Sequence, residues 1–334
     1  MKYVVTGATG FLGANLVRSL LDAGHSVQCL IRKPNICIQG LDVELSTTPI
    51  YSDEPGHIDA LAAELRGADG IFHVAGIFDP SPGGEARMRT VHVDATASLL
   101  AAAERANVGR MVLCSSSITV GYGTMDAPGN EDTLPDADGM YGTKGALRAY
   151  HDTKADAEAL VAGHPGVEGV IVNPDFILGP WDVKPTSGQM IVTMAKKPIP
   201  FYPRGGKCFQ SAFDCAQGHL LAMEKGERGR RYLLGSHNRS YKEFMTIVAG
   251  VVGSRAPLWP MPNVAIWAAG MAGRVGSRVD AHRFAGLDGH VLRSMQQCRY
   301  RTDERARNEL GLKPGTLDEA IESAYRWFCD NGYC

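Results

Sequence analysis

A chain of 334 residues, 44% of them hydrophobic, is long enough to bury a sizeable core as one large domain or one domain with a smaller lobe, and this composition argues against disorder. A formal charge of −2 and the absence of a long basic run argue against a nucleic-acid surface, which needs clustered Lys and Arg, and leave a small molecule as the expected ligand. The eight cysteines form no Cys-x-x-Cys pair and no Cys/His spacing of the metal-binding kind, so free thiols and no metal are expected.

Residues 2–6 read as a short strand, and Met1-Lys2 leads straight into it with no signal-peptide pattern, which points to a cytoplasmic protein. Leu12, Leu16, Val17, Leu20 and Leu21 fall at helical spacing and predict a helix over 11–23, stopped by Gly24; residues 26–31 read as the next strand. Strand, helix and strand in such short order make a βαβ unit, hence a parallel sheet with a right-handed crossover. Between the first strand and the helix lies Thr6-Gly7-Ala8-Thr9-Gly10-Phe11-Leu12-Gly13. Gly7 suits a tight turn, Gly10 a close approach of backbone to a pyrophosphate, and Gly13 close packing of helix on strand. The helix N-terminus adds free N–H groups, so Gly7, Thr9, Gly10, Phe11, Leu12 and Gly13 are the expected cradle of a dinucleotide. The second strand ends at Arg32 and Lys33, where an enzyme selecting NAD usually offers a carboxylate to the ribose. A guanidinium matches a 2′-phosphate, so NADP(H) is expected in preference to NAD(H).

The alternation continues with strands at 70–74, 110–114 and 169–172 and helices at 89–106 and 142–162. This is an α/β fold, a doubly wound parallel sheet of the Rossmann type, over residues 1–178. After Gly179-Pro180 prolines interrupt shorter elements, and 179–334 reads mainly as a smaller C-terminal substrate-binding lobe with some segments returning to the Rossmann core. A last helix is expected at 317–329. The longest apolar stretch, residues 264–272, is too short to span a bilayer but long enough to line a pocket or touch a membrane surface.

Tyr150 and Lys154 stand at i and i+4 on the helix expected over 142–162. A neighbouring ammonium is expected to lower the phenol pKa, so that Tyr150 exchanges a proton with a carbonyl or alcohol. Ser115-Ser116-Ser117 ends the strand before it, and Ser117 is the expected partner of the substrate oxygen. Tyr141 with Lys144 ranks below this pair. His73, His92 and His151 titrate near neutrality, yet none has a partner spaced for a metal or a nucleophilic triad.

These residues resemble the extended short-chain dehydrogenase/reductases of the NAD-dependent epimerase/dehydratase superfamily, and within them the dihydroflavonol reductase-like branch. The resemblance rests on Thr6 to Gly13, Phe72-His73-Val74-Ala75-Gly76, Leu113 to Ser117, Tyr150 to Glu158, and Asn173-Pro174-Asp175-Phe176-Ile177-Leu178-Gly179-Pro180. Later segments, Asp214 to His219, Arg231 to Gly235 and Glu309 to Leu312, are similar to the same branch. It implies a catalytic triad of Ser117, Tyr150 and Lys154, with Val74, Ala75 and Gly76 along the cofactor. Pro174, Phe176 and Ile177 would lie near the nicotinamide and Arg32 at the 2′-phosphate. Two positions depart from the pattern. His92 stands where many relatives carry Asn, and the Asp-Leu pair that usually touches adenine is missing, residues 45–56 reading instead as an irregular insertion.

The first functional reading is NADP(H)-dependent reduction of a ketone or aldehyde, or oxidation of a secondary alcohol, on an apolar, aromatic or polycyclic molecule. Phe176, Trp181, Phe201, Tyr202, Trp259, Met261 and Trp267 offer aromatic and apolar lining. The second is a sugar-nucleotide epimerase or dehydratase, ranked lower because residues 207–213 carry only one cation, Lys207, for a diphosphate. A sterol-type dehydrogenase with decarboxylation is a variant of the same chemistry, and a non-catalytic NADPH sensor is the remote alternative. Relatives often pair through helices equivalent to 89–106 and 142–162, which makes a homodimer conceivable.

Overall fold

A computed structural model describes residues 1–264, 266, 268, 271, 276, 292 and 294–334. Trp267 and much of the 264–272 stretch lie outside the described residues. The first half runs β1 (Lys2–Thr6), α1 (Phe11–Asp22), β2 (Ser26–Leu30), β3 (Glu44–Ser46), α2 (His57–Leu65), β4 (Gly70–His73), α3 (Gly84–Arg89), α4 (Ala95–Ala106), β5 (Arg110–Cys114), α5 (Ala137–Tyr141), α6 (Ala146–Gly163) and β6 (Glu168–Pro174). The second half runs β7 (Phe176–Leu178), α7 (Gln189–Lys196), β8 (Phe201–Tyr202), β9 (Gly206–Ser211), α8 (Ala212–Lys225), β10 (Arg231–Leu234), β11 (His237–Ser240), α9 (Tyr241–Val252), β12 (Trp259–Pro260), β13 (Cys298–Arg299) and α10 (Leu317–Asp330).

Seven strands form one sheet in the order β10-β6-β5-β4-β1-β2-β3, and every pairing in it is parallel. β4 is buried along its whole length, as are most residues of β1, β5 and β6, which is why these strands are nearly continuous apolar runs. One face packs on α1 and α8 through Leu16, Leu20, Phe72 and Leu220, the other on α2, α4 and α6 through Leu61, Leu99 and Val161. The chain leaves β1 toward β2 but crosses to the other side at β4, so a topological switch point opens between β1 and β4 at the carboxyl edge. The glycine turn and residues 74–76 both emerge there.

Beyond residue 179 the chain does two things. β10 joins the parallel sheet beside β6, and α8 packs on α1. The rest builds a second core in which α7, α9 and α10 cover a small sheet of β7, β9, β11 and β13, with the Phe209 and Phe244 rings stacked 4.2 Å apart. Capping boxes at Ser240/Glu243 and Thr316/Glu319 start α9 and α10 by satisfying the N-terminal N–H groups.

Several boundaries differ from expectation. The helix expected over 89–106 begins earlier, at Gly84, and is interrupted by a π-turn at Thr90–Asp94. The helix expected from 142 starts at Ala146, because Gly142 (φ +78°) and Gly145 (φ +106°) hold left-handed backbone that a helix cannot use. Residues 45–56 are not wholly irregular: Glu44–Ser46 is the third strand, and α2 follows directly after Gly56. The strand is short and lies at the sheet edge, with none of its three residues buried, so no hydrophobic alternation marks it.

Candidate active site

Gly7 is held at φ +73°, and a Cβ there would meet the Ala75 nitrogen at 2.6 Å. The turn after β1 and the segment after β4 therefore touch backbone to backbone. A Cβ on Gly13 would strike the Gly7 carbonyl, so α1 can lie against the turn only with glycine at that position. Gly10 is different. It is exposed, and nothing nearer than the Gly7 oxygen at 3.3 Å would meet its Cβ, so the protein's own packing does not demand a bare backbone there. Gly10 opens α1 with no side-chain cap, and the first turn of the helix carries no acidic residue. The free N–H groups at Phe11, Leu12 and Gly13 and the open backbone at Gly10 fit a diphosphate. Thr9 is tied to the loop after β2 by the Asn35 amide, which donates to its carbonyl at 2.9 Å. That loop carries Arg32 and Lys33, both exposed and neither in an ion pair among the described residues.

The opposite wall of the cleft edge is set by Thr6, whose hydroxyl accepts from the Ala75 N–H at 3.2 Å and meets His73 Nδ1 at 2.7 Å. Burial, aided by the Lys154 ammonium, pushes the His73 pKa down to about 3. His92 sits in the π-turn, a feature that re-aims a helical side chain. Its Nε2 accepts from the Ile77 N–H at 3.1 Å, which leaves the proton on Nδ1, 2.9 Å from the Thr153 hydroxyl, and that hydroxyl donates onward to the Ala149 carbonyl at 2.8 Å. Burial and the Lys154 charge lower the His92 pKa to about 2. Both histidines are therefore neutral fixtures rather than acid/base groups at neutral pH.

Tyr150, Lys154 and Glu158 follow one another at i, i+4 and i+8 on α6, facing the end of β5. The Lys154 ammonium donates to the Cys114 carbonyl at 2.9 Å, and a Cβ on Gly76 would stand 3.1 Å from its nitrogen, so the bare backbone of Gly76 leaves that ammonium its space. Burial lowers the Lys154 pKa, while Cys114 and Glu158 act the other way. The Tyr150 ring lies edge-on to His92 at 5.5 Å and to Phe78 at 5.7 Å. Its phenol pKa is pushed up to about 12, chiefly by burial, with the hydrogen bond from Ser116 pulling weakly downward. This corrects the expectation of a phenol acidified by Lys154. In the protein alone the lysine is engaged by the β5 carbonyl and desolvation wins, so the phenol is a firmly protonated donor.

The three serines separate by partner. Ser115 donates to Glu158 at 2.5 Å, Ser116 accepts from the Ile118 N–H at 3.3 Å and is the serine near the Tyr150 phenol, and Ser117, buried, opens a short 3₁₀ turn. Glu158 is 1% exposed and also accepts from Thr119 at 2.6 Å and Asn173 at 2.7 Å, while Arg231 pairs with its other oxygen at 2.9 Å. This buried network clamps β5, α6, β6 and β10 together behind the serines. Tyr141 is engaged elsewhere. Its hydroxyl donates to the Ile118 carbonyl at 3.1 Å and burial raises its pKa to about 12.

Pro174 ends β6, and Ile177 in β7 packs on the core shared with α1 and α8. Phe176 packs edge-to-face on Phe209 at 5.3 Å with the Lys207 ammonium 5.1 Å above its ring. The aromatics expected to line one pocket divide. Trp181 lies under Arg18 and against Trp327, at the seam between α1 and the second core, whereas Phe201 and Trp259 are exposed on the β8–β12 pair. The sequence offered Ser116 within the triple serine but ranked Ser117 first, and it assigned no role to Phe78, Thr6 or Thr153. Phe78 carries a usable signal, an aromatic side chain two residues past the 72–76 motif. No group of His, Cys, Asp and Glu among the described residues could hold a metal ion, and no helix among them is long and apolar enough to cross a membrane.

Residues 3–235 match the NAD dependent epimerase/dehydratase family. The chain is 31% identical to a Synechocystis protein named "Putative dihydroflavonol 4-reductase", the match covering 99% of this chain and 95% of that one. It is 31% identical to sterol demethylase protein B of Methylococcus capsulatus, over 99% of both chains. Among solved structures, a nucleoside-diphosphate-sugar epimerase from Pseudomonas aeruginosa superposes with a TM-score of 0.77 at 27% identity, covering 100% of this chain and 99% of that one.

Proposed function

The chain belongs to the NAD dependent epimerase/dehydratase family and is an NAD(P)-dependent oxidoreductase, and on that premise we propose that it reduces a ketone or aldehyde of an apolar small molecule with NADP(H), or runs the reverse oxidation. The observation that carries this reading is the Tyr150 phenol, buried and protonated, near Ser116 and one helical turn from the Lys154 ammonium at the carboxyl end of β5.

Gly7, Thr9, Gly10, Phe11, Leu12 and Gly13 would hold the diphosphate of the cofactor, and Val74 to Gly76 would flank its ribose. Pro174, Phe176 and Ile177 would border the nicotinamide. When bound, the nicotinamide supplies or accepts the hydride. Tyr150 holds the proton that the carbonyl oxygen takes up as negative charge develops on it. Ser116, already within bonding reach of that phenol, orients the same oxygen, with Ser117 the neighbouring hydroxyl. Lys154 has one N–H on the Cys114 carbonyl and keeps its others for a ribose hydroxyl and for stabilising charge on the phenol as its proton leaves. Phe78 gives the substrate an apolar wall beside Tyr150.

The sugar-nucleotide reading is weaker because residues 207–213 carry only one cation, Lys207, which stands 3.7 Å from the buried Asp175 carboxylate that Arg301 holds at 2.6 Å. The name of the Methylococcus relative favours a polycyclic alcohol or ketone as the apolar substrate, which moves the sterol-type oxidation ahead of the sugar-nucleotide reading.

Selection of NADP(H) rests on Arg32 and Lys33, exposed cations at the end of β2 whose loop is tied to Thr9. Arg32→Glu replaces a phosphate partner by a repelling charge. The expected result is a fall of roughly 10–100-fold in kcat/KM for NADPH, with NADH little changed. Equal losses with both cofactors would remove Arg32 from the 2′-phosphate site.

A further inference from the structure

We propose that the β8–β12 ribbon and the basic segments beside it form a docking surface for an anionic lipid bilayer. β8 and β12 pair in parallel, pinned by the Leu258 and Trp259 N–H groups donating to the Pro200 carbonyl at 3.0 and 3.1 Å and by Met261 N–H donating to the Tyr202 carbonyl at 2.8 Å. This small ribbon displays apolar side chains to solvent: Leu258 is 70% exposed, Trp259 60%, Phe201 40%, and Val264 71%. A cluster of large apolar tips on one element is the kind of exposure that marks an interaction site.

The charge around it is one-sided. Residues 183–213 and 244–264, the two segments that contribute the ribbon, hold six Lys or Arg and not one Asp or Glu, in a chain whose totals are 34 basic and 36 acidic residues. Lys196 and Lys197 end α7 just before Pro200, Arg204 follows β8, and Arg255 precedes Leu258; all four are exposed. The Lys242 ammonium stands 5.6 Å over the Tyr202 ring. Apolar tips with a Trp among them, with cations beside them, match a surface that inserts shallowly between headgroups while its charges meet lipid phosphates. The β8 and β12 strands are two residues each, too short to recruit a partner strand by edge pairing. β8 leads directly to β9 and Lys207, so a membrane-dissolved apolar substrate would be met on the lobe that carries Phe176. The inference stands whichever reaction Tyr150 serves.

The test is co-sedimentation of the full chain with vesicles of phosphatidylcholine alone and of phosphatidylcholine mixed with phosphatidylglycerol. The expected result is binding to the anionic vesicles, weakened by salt, with little on phosphatidylcholine. Lys196→Gln and Lys197→Gln should each lower partitioning roughly fivefold. Leu258→Ser with Trp259→Ala should lower it by about tenfold or more. These side chains are exposed, so the variants should melt as the parent does, which a thermal scan checks. Absence of binding to anionic vesicles would overturn the proposal, as would undiminished binding by both sets of variants. So would a lipid-independent dimer that the Leu258/Trp259 variant dissolves, which would assign the face to a second copy of the chain.

Discussion

Tyr150→Phe is expected to lower carbonyl reduction by about 10²–10⁴-fold while leaving affinity for the nicotinamide cofactor nearly unchanged. The substitution removes one hydroxyl and keeps the ring that packs against Phe78 and His92, so the wall of the cleft stays in place. Lys154 keeps its bond to the Cys114 carbonyl, because that bond does not involve the phenol. The pH profile carries the more specific signature. With the phenol pKa at about 12 the proton donor stays loaded through neutral and mildly alkaline pH, so reduction should be flat there. Oxidation needs the phenol to accept a proton, and its rate should climb as pH rises toward that pKa. In the Phe variant the residual oxidation should lose this slope. A variant that retains both the rate and the slope would transfer the proton chemistry to another group, and Tyr141 and the two buried histidines are poorly suited to receive it, since each is fixed by other bonds.

Glu158→Ala should destabilise the fold by about 2–4 kcal/mol, measured as a lowered denaturant midpoint. The carboxylate is the shared acceptor for Ser115, Thr119 and Asn173 and the ion partner of Arg231. Its removal leaves the buried Ser115 hydroxyl without its acceptor and takes the charged acceptor from Thr119 and Asn173, which keep the Ser116 carbonyl, while Arg231, which reaches the surface, can rehydrate. Because Ser115 adjoins Ser116, activity should fall along with stability, and Glu158→Gln should recover part of both by restoring one acceptor oxygen. A variant as stable as the parent would mean that water replaces the carboxylate at no cost, contrary to its burial.

The parallel sheet was legible because its central strands are buried on both faces, which forces apolar runs at 2–6, 70–74 and 110–114 separated by helical periods. The glycine turn was legible for a related reason: Gly7 and Gly13 are demanded by contacts that any other residue would break. Glu44–Ser46 escaped notice because an edge strand of three residues needs no apolar pattern. The π-turn that re-aims His92 shifts the helical phase, which the six residues of α3 before it are too few to reveal. The phenol pKa was misjudged for a different reason. Helical spacing brings Lys154 near Tyr150, but which group the ammonium bonds, and how far the phenol is desolvated, depends on β5 and on Phe78, neither of which the i, i+4 pattern contains. The choice among Ser115, Ser116 and Ser117 likewise turns on side-chain direction at the end of β5, where one residue along the chain reverses the face.

The most direct measurement is NADPH consumption, followed by its near-ultraviolet absorbance, with a panel of apolar aromatic and polycyclic ketones, set beside NADH and beside sugar nucleotides. The expected result is stoichiometric conversion of an apolar ketone to its alcohol, faster with NADPH than with NADH. Interconversion of a sugar nucleotide with no net cofactor consumption, and no turnover of any ketone, would contradict the reductase reading and move the chain to the epimerases of its family.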